Sequence, residues 1–446
     1  MKTRWMILGV LAGAAVSVWG AAASDYTVSD VHLSSRAPWE TGVDITFRLT
    51  APTTTEAKAV ELDIRAMNGS DDIYISDGAI STRLAAAKSG LQRITWRPDV
   101  DHPGRYFGDL KVSVAVKGEV EGLPAYMLVD LTNGSVGYAK KEQFEKARLR
   151  NFNFTDYMAL RYIPPTTSDE WKALSGGNDW FWYGTDEKDG AENFKSATDL
   201  QRENRRVKVR LTKGFYMGIY PMYKGHLSAF DPEFSRNGSG YGDVATGLSY
   251  ERIRGADTVG GYNYPTTDEV APNSILGKIR ERTGLKFDLP TSFQWEYAAR
   301  AGSTNVFLHT DSAMPDTSLF QKQKDASPHD SGLVNAWGLY GMIGSCHHWT
   351  TTLGRSTDST SGNNFCVLTG DTVIEDPVGD ATTYDHGYRI TRGSHNGAAG
   401  NTTGRLDSKN YDIRYRVYRI AYTYAQKANN PGELQFCGFR LCLTVE

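Results

Sequence analysis

The chain has 446 residues, 40% of them apolar, so at about 150 residues per domain it has room for two or three domains and enough apolar material for a buried core. A disordered or collagen-like chain is excluded. Lys and Arg number 49 against 52 Asp and Glu, a formal charge of -3, so no strongly basic field argues for nucleic acid as a partner.

Lys2 and Arg4 precede an apolar run from Trp5 through Trp19, interrupted by Gly9 and Gly13, and Ala21-Ala22-Ala23 ends it with side chains small enough for a signal peptidase. Residues 1–23 therefore read as a secretory signal peptide. The run falls short of the roughly 20 apolar residues that span a bilayer, and no later segment approaches that length. The expected mature chain begins near Ser24, carries no transmembrane segment, and is secreted or periplasmic.

From Tyr26 to Lys117 apolar and polar residues alternate. Val43, Ile45, Phe47 and Leu49 fall on one face, as do Val60, Leu62, Ile64 and Ala66, then Ile94 and Trp96, then Leu110, Val112, Val114 and Val116. Turn residues separate these runs at 51–55, 68–72 and 98–104. The pattern predicts a small antiparallel β-sandwich over residues 24–117, immunoglobulin-like in size but without an internal disulfide. Residues 118–126, GEVEGLPAY, have the Gly, Pro and charge of a linker.

The texture changes over residues 127–446, which are rich in Gly, Trp and Tyr and contain long polar stretches at 165–205 and 354–386. Two helices are predicted. One runs from Pro272 to Thr283, with Ile275, Leu276 and Ile279 on one face; the other runs from Thr291 to Ala301, with Thr291 as its cap. Irregular backbone on this scale needs many side-chain hydrogen bonds or metal ions to hold it. Glu296 and Arg300 have the i, i+4 spacing of an ion pair on an exposed helix. The four cysteines of an exported chain are compatible with two disulfides. Cys437 and Cys442, read as parts of one extended strand, lie too far apart to bond to each other, so each bridge would need Cys346 or Cys366.

Six blocks form an ordered series: FYMGIYPMYKGH (215–226), LSYERIRGA (248–256), FDLPTSFQWEYAARAGS (287–303), NAWGLYGMIGSCHHWT (335–350), RITRGSHNG (389–397) and CGFRLCL (437–443). The series resembles the formylglycine-generating enzyme, or sulfatase-modifying factor, family. That resemblance implies a loop-rich α+β domain related to C-type lectins, here preceded by the β-sandwich. It also implies an oxidase whose paired Cys thiolates bind copper, chemistry that needs soft sulfur ligands. The matching positions are Gly397 or Ala398 for the first Cys and Asp412, two residues before Arg414-Tyr415-Arg416, for the second. Neither supplies sulfur, so copper is not expected.

The family's calcium-binding Asn and Glu correspond to Ser345 and His348, which removes that calcium site, although calcium elsewhere would suit the scaffold. Cys346 and His348 form at most a two-ligand nucleus for zinc or copper. The iron-dependent branch of the fold draws two His and a carboxylate from a helical companion domain, whereas residues 24–117 are β and hold only His32 and His102. Ser394, His395 and Asp412 can be drawn as a hydrolase triad, but no GxSxG elbow supports it.

The resemblance places a recognition surface between Ser394 and Gln435, where Ser394, His395, Asn396, Tyr411, Asp412, Arg416, Arg419 and Tyr422 are the residue types of polar binding loops. The expected protein is an exported binding or structural module, a pseudoenzyme with no predicted cofactor, for a glycan, a peptide or a cell-surface protein. The rival is a sulfatase-modifying or related oxygen-dependent oxidoreductase whose active site has moved.

Overall fold

The computed structural model describes residues 25–35, 42–52, 58–76, 79–80, 82–119, 124–139, 144, 156–184, 206–231, 234, 244–257, 261–304, 334–343, 345–354, 372–379, 388–393, 423–427 and 437–445. The chain divides into two compact units, Met1–Phe152 and Asn153–Val445.

In the first unit, β1 (Thr27–Ser35), β2 (Val43–Thr50) and β6 (Gly90–Trp96) form an antiparallel sheet in the order β1-β2-β6. In a second sheet, β3 (Lys58–Asn68) pairs with β7 (Leu110–Glu119) over most of its length, with β4 (Asp71–Ile73) near its end and with β5 (Arg83–Ala87) near its start. Side chains two apart share a face. Ile45, Phe47 and Leu49 of β2, Ile94 and Trp96 of β6, Val60, Leu62 and Ala66 of β3, and Leu110, Val112 and Val114 of β7 are accordingly buried in one cluster. Each of the larger side chains contributes about 1.5–3 kcal/mol by leaving water, and Ala66 less. The segment expected to be a plain turn at 98–104 starts with a helical turn, Pro98–Asp101, because Pro98 has the fixed φ suited to a first helical position. β8 (Tyr126–Asp130) and β9 (Val136–Ala139) form a hairpin.

The second unit mixes short strands with short helices. β13 (Phe215–Gly218) pairs antiparallel with β10 (Tyr157–Ile163) and with β19 (Cys442–Thr444). β12 (Val207–Arg210) pairs antiparallel with β11 (Phe181–Tyr183) and parallel with β15 (Ile374–Glu375). A third sheet has the order β17-β16-β14-β18, from β14 (His347–Leu353), β16 (Tyr388–Arg392), β17 (Thr423–Lys427) and β18 (Cys437–Gly438).

Several sequence expectations are corrected here. The second unit has five helices among the described residues rather than two: Asp169–Leu174, Lys224–Ser228, Tyr250–Ile253, Ile275–Thr283 and Ser292–Arg300. The three extra ones span only one or two turns, too short to display a 3.6-residue period. Two of them start from Ser caps, Ser168 and Ser249, which accept the N–H of Trp171 and Arg252. The stretches read as polar loops contain β11 and β15. The helix predicted from Pro272 begins at Ile275, where Ser274 Oγ caps the Gly277 N–H at 3.0 Å. Gly277 is required by close packing, since a Cβ there would lie 2.2 Å from the Ala271 carbonyl oxygen. Cys437 and Cys442 do not share a strand: β18 and β19 belong to different sheets, with the chain bending between them. The two-disulfide arrangement does not form, because Cys346 and Cys442 are free thiols; Cys366 lies outside the described residues.

Candidate functional site

The helix Ser292–Arg300 is the centre of the second unit, and every one of its residues is buried. Thr291 Oγ1 accepts the Gln294 N–H and the Gln294 side chain accepts the Thr291 N–H, a reciprocal cap that fixes where the helix starts. Phe293, Tyr297 and Ala298 join Trp171, Phe181, Tyr183, Val207 and Val209 in one core. Glu296 and Arg300 do pair, but buried rather than exposed: Glu296 is fully enclosed and Arg300 nearly so. Glu296 Oε1 accepts from Arg300 Nε at 2.9 Å and from the Gly184 N–H at 2.8 Å, while its Oε2 accepts from Arg392 at 2.5 Å. One carboxylate thus serves two guanidiniums, and the three side chains sum to one positive charge.

Trp295 Nε1 donates to His348 Nδ1 at 3.0 Å. Burial, and then the charge of Arg440, hold the His348 pKa well below its usual value, so the ring is neutral and carries its proton on Nε2. That buried N–H has no hydrogen-bond partner. Arg440 is fully buried, with no ion-pairing carboxylate among the described residues; it donates to the carbonyls of Gly218, Ile219 and Tyr340 at 2.6, 2.8 and 2.5 Å. Burial lowers its pKa to about 10, with nearby Cys346 and Tyr223 opposing the shift. The Cys346 thiol is pushed up to about 12 by burial, against the pull of Arg440. Burial likewise raises Cys442, whose thiol donates to Gln294 Oε1 at 3.9 Å. Protonated, enclosed thiols are inert as nucleophiles and poor as metal ligands.

Cys346 and His348 are both fully buried in the same interior. Among the described residues no group of three or more His, Cys, Asp or Glu side chains is placed to hold a metal ion. The other predicted site residues, Ser394, His395, Asn396, Tyr411, Asp412, Arg416, Arg419 and Tyr422, lie outside the described residues, as do Gly397 and Ala398.

An open cleft of about 240 Å³ is found instead beside β11. Its wall begins in the helix Asp169–Leu174, after which Gly176 and Gly177 turn the chain with φ of +70° and +92°. Ser175 Oγ donates to the Asn178 carbonyl, and Asn178 Nδ2 to the Ser175 carbonyl, both at 2.7 Å, which locks the turn. Trp171 Nε1 then donates to the Trp180 carbonyl at 3.2 Å. Alternation along β11 sends Phe181 and Tyr183 into the core and leaves Trp180 and Trp182 half-buried on the other face. Their rings meet edge to face at 4.9 Å. Trp182 stands opposite Lys208 on β12, whose ammonium lies 5.0 Å from the Trp180 ring centre and 5.5 Å from that of Trp182. The Arg206 guanidinium stacks on Trp182 at 4.4 Å. Leu174, Arg300, Ser303 and Thr304 complete the rim.

Sequence reasoning missed this cleft because Trp180-Phe181-Trp182 sits inside a stretch read as a polar loop. The signal was present: a run of four strand-favouring aromatics in WFWY (180–183), and alternating basic and apolar residues in RVKVR (206–210).

Among the described residues no helix is long and apolar enough to cross a membrane. The Sulfatase-modifying factor enzyme 1-like domain matches residues 189–444, more than half of the chain. A solved structure of PvdO from Pseudomonas aeruginosa is similar at 15% identity, covering 64% of this chain and 94% of that one, with a TM-score of 0.38. No curated protein matches the sequence.

Proposed function

The chain belongs to the sulfatase-modifying factor enzyme 1-like domain family, and from that premise we propose that it is a recognition module of the family rather than an oxidase. In this reading the second unit is the lectin-related α+β scaffold, the first is a β-sandwich spacer, and the pattern of residues 1–23 directs the protein to the periplasm or the medium.

The observation that carries the reading is the position of sulfur. Where the resemblance needs a copper-binding Cys pair, the sequence has Gly397 or Ala398 and Asp412. A carboxylate is a hard oxygen ligand and does not replace a thiolate on Cu(I). The described cysteines offer no substitute, since Cys346, Cys437 and Cys442 are all buried and burial holds the thiols of Cys346 and Cys442 protonated.

The test is metal analysis of the purified mature protein together with oxygen uptake in the presence of a Cys-containing peptide. The proposal expects neither bound copper nor peptide-dependent oxygen consumption. One equivalent of copper with such consumption would establish the oxidase instead.

A further inference from the structure

We propose that the second unit encloses one small monovalent anion, chloride in ordinary buffers, which accepts the N–H groups of Arg440 and His348.

Two orphaned donors carry the proposal. Arg440 spends its two terminal nitrogens on the carbonyls of Gly218, Ile219 and Tyr340, and its Nε–H has no partner. His348 accepts the Trp295 indole N–H on Nδ1, which fixes the ring and leaves the proton on Nε2, and that N–H has no partner either. Both side chains are fully buried, and neither makes a further side-chain hydrogen bond or ion pair among the described residues. They are neighbours: His348 of β14 stands beside Gly438 of β18 in the parallel register, and Gly438 is two residues before Arg440. Folded interiors rarely leave one buried N–H unmet, because the donor loses its water and gains nothing in return. Here two adjoining side chains do so.

Charge says what meets them. The titratable groups that Arg440 reaches are neutral at pH 7: burial holds His348 below its usual value, pushes the Cys346 thiol up to about 12 and raises the Tyr223 phenol above its usual value. Arg440, lowered by burial to about 10, still keeps its proton. These four side chains therefore sum to one positive charge in an enclosed place, where a charge is ordinarily paired. A water molecule would accept the two N–H groups but leave the charge, and it would bring two protons of its own that need acceptors. A halide accepts from both donors and cancels the charge.

Packing limits the size of the guest. A Cβ on Gly393 would lie 2.7 Å from the Met342 carbonyl oxygen and 3.4 Å from His348 Nδ1. Packing this close favours a single atom over a tetrahedral oxyanion, whose second charge would also exceed the one to be matched.

The experiment is urea denaturation of the purified mature chain in sodium chloride, sodium bromide and sodium gluconate at equal ionic strength, gluconate being too large for the site. Once the halide exceeds its dissociation constant, each tenfold rise should increase the folding constant of the second unit about tenfold, and gluconate should not. His348→Glu sets a permanent carboxylate beside Arg440 and should abolish the halide response. Because that variant could fail to fold, the unaltered protein is also crystallised in bromide. An anomalous peak within hydrogen-bond reach of Arg440 Nε and His348 Nε2 supports the site. Equal stability in halide and gluconate, a full halide response in folded His348→Glu, or a water or one of the chain's own carboxylates in place of the bromide peak would overturn it. Copper and oxygen uptake test the recognition reading separately, so either proposal can fail alone.

Discussion

The two units solve the problem of a protein interior in different ways. In the first, the buried cluster consists of aliphatic and aromatic side chains from strands whose backbones pair along their length. In the second, Arg254, Arg389, Arg392 and Arg440 are completely enclosed. Three of them, Arg254, Arg389 and Arg440, satisfy backbone carbonyls that regular secondary structure would pair elsewhere. Arg440 collects three carbonyls, those of Gly218 at the end of β13, Ile219 just after it, and Tyr340; Arg254 donates to the Tyr262 and Thr267 carbonyls and to Asp288; Arg389 grips Asp257 with two bonds at 3.0 and 2.6 Å and also reaches the carbonyls of Thr351 and Tyr264. Irregular backbone leaves acceptors that a ladder would have used, and a buried guanidinium with five donors satisfies several at once. The comparison teaches that one chain can contain a core ruled by volume and a core ruled by donor and acceptor count.

The sharpest way to break that contrast is Arg389→Met. It takes the Arg389 guanidinium away from the buried Asp257 carboxylate and should cost about 3–5 kcal/mol, read as a lower denaturation midpoint of the second unit. By contrast Phe47→Leu, in the apolar core, should cost about 1.5 kcal/mol or less, because it changes volume and strands no polar atom. If the two losses were equal, the distinction between the cores would fail.

Acid gives a third test. The folded His348 pKa lies below its ordinary 6.5. The unfolded chain therefore binds a proton below that pH that the native chain refuses, and stability falls as the pH drops from 6.5 toward the folded value. His348→Asn should reduce the slope of stability against pH in that window by about 1.4 kcal/mol per pH unit, measured by chemical denaturation across the range. An unchanged slope would mean that His348 is not the refused proton site. The smallest effect belongs to a feature of ordinary helices: Thr291→Ala, removing the cap, should cost about 1 kcal/mol, and Thr291→Ser almost nothing.

The same contrast explains what was legible in the sequence. Period-two alternation in β2, β3, β6 and β7 marks a half-buried strand, and all four are found where the pattern places them. The strand Phe215–Gly218 is buried at every position, so it has no alternation to read. The helix at 292–300 was visible from its cap, but its charge was misjudged: the spacing of Glu296 and Arg300 says nothing of Arg392, 96 residues from Glu296, which joins the pair inside the core. Local spacing cannot foresee partners that folding brings from afar. The cleft was hidden for a related reason, since β11 has three residues and gains meaning only beside β12. The ordered blocks carried the family, which the match over residues 189–444 bears out, yet they are blind to Trp180 and Trp182, which precede all six.

The enclosed thiols have one more use. A Cβ on Gly438 would lie 2.9 Å from the Cys346 sulfur and 2.6 Å from the Ala245 carbonyl oxygen, so nothing the size of an alkylating reagent reaches that sulfur while the chain is closed. The first unit contains no cysteine at all. Modification at Cys346 or Cys442, followed peptide by peptide in a mass spectrometer, therefore keeps time for breathing of the second unit alone, with the first silent in the same tube.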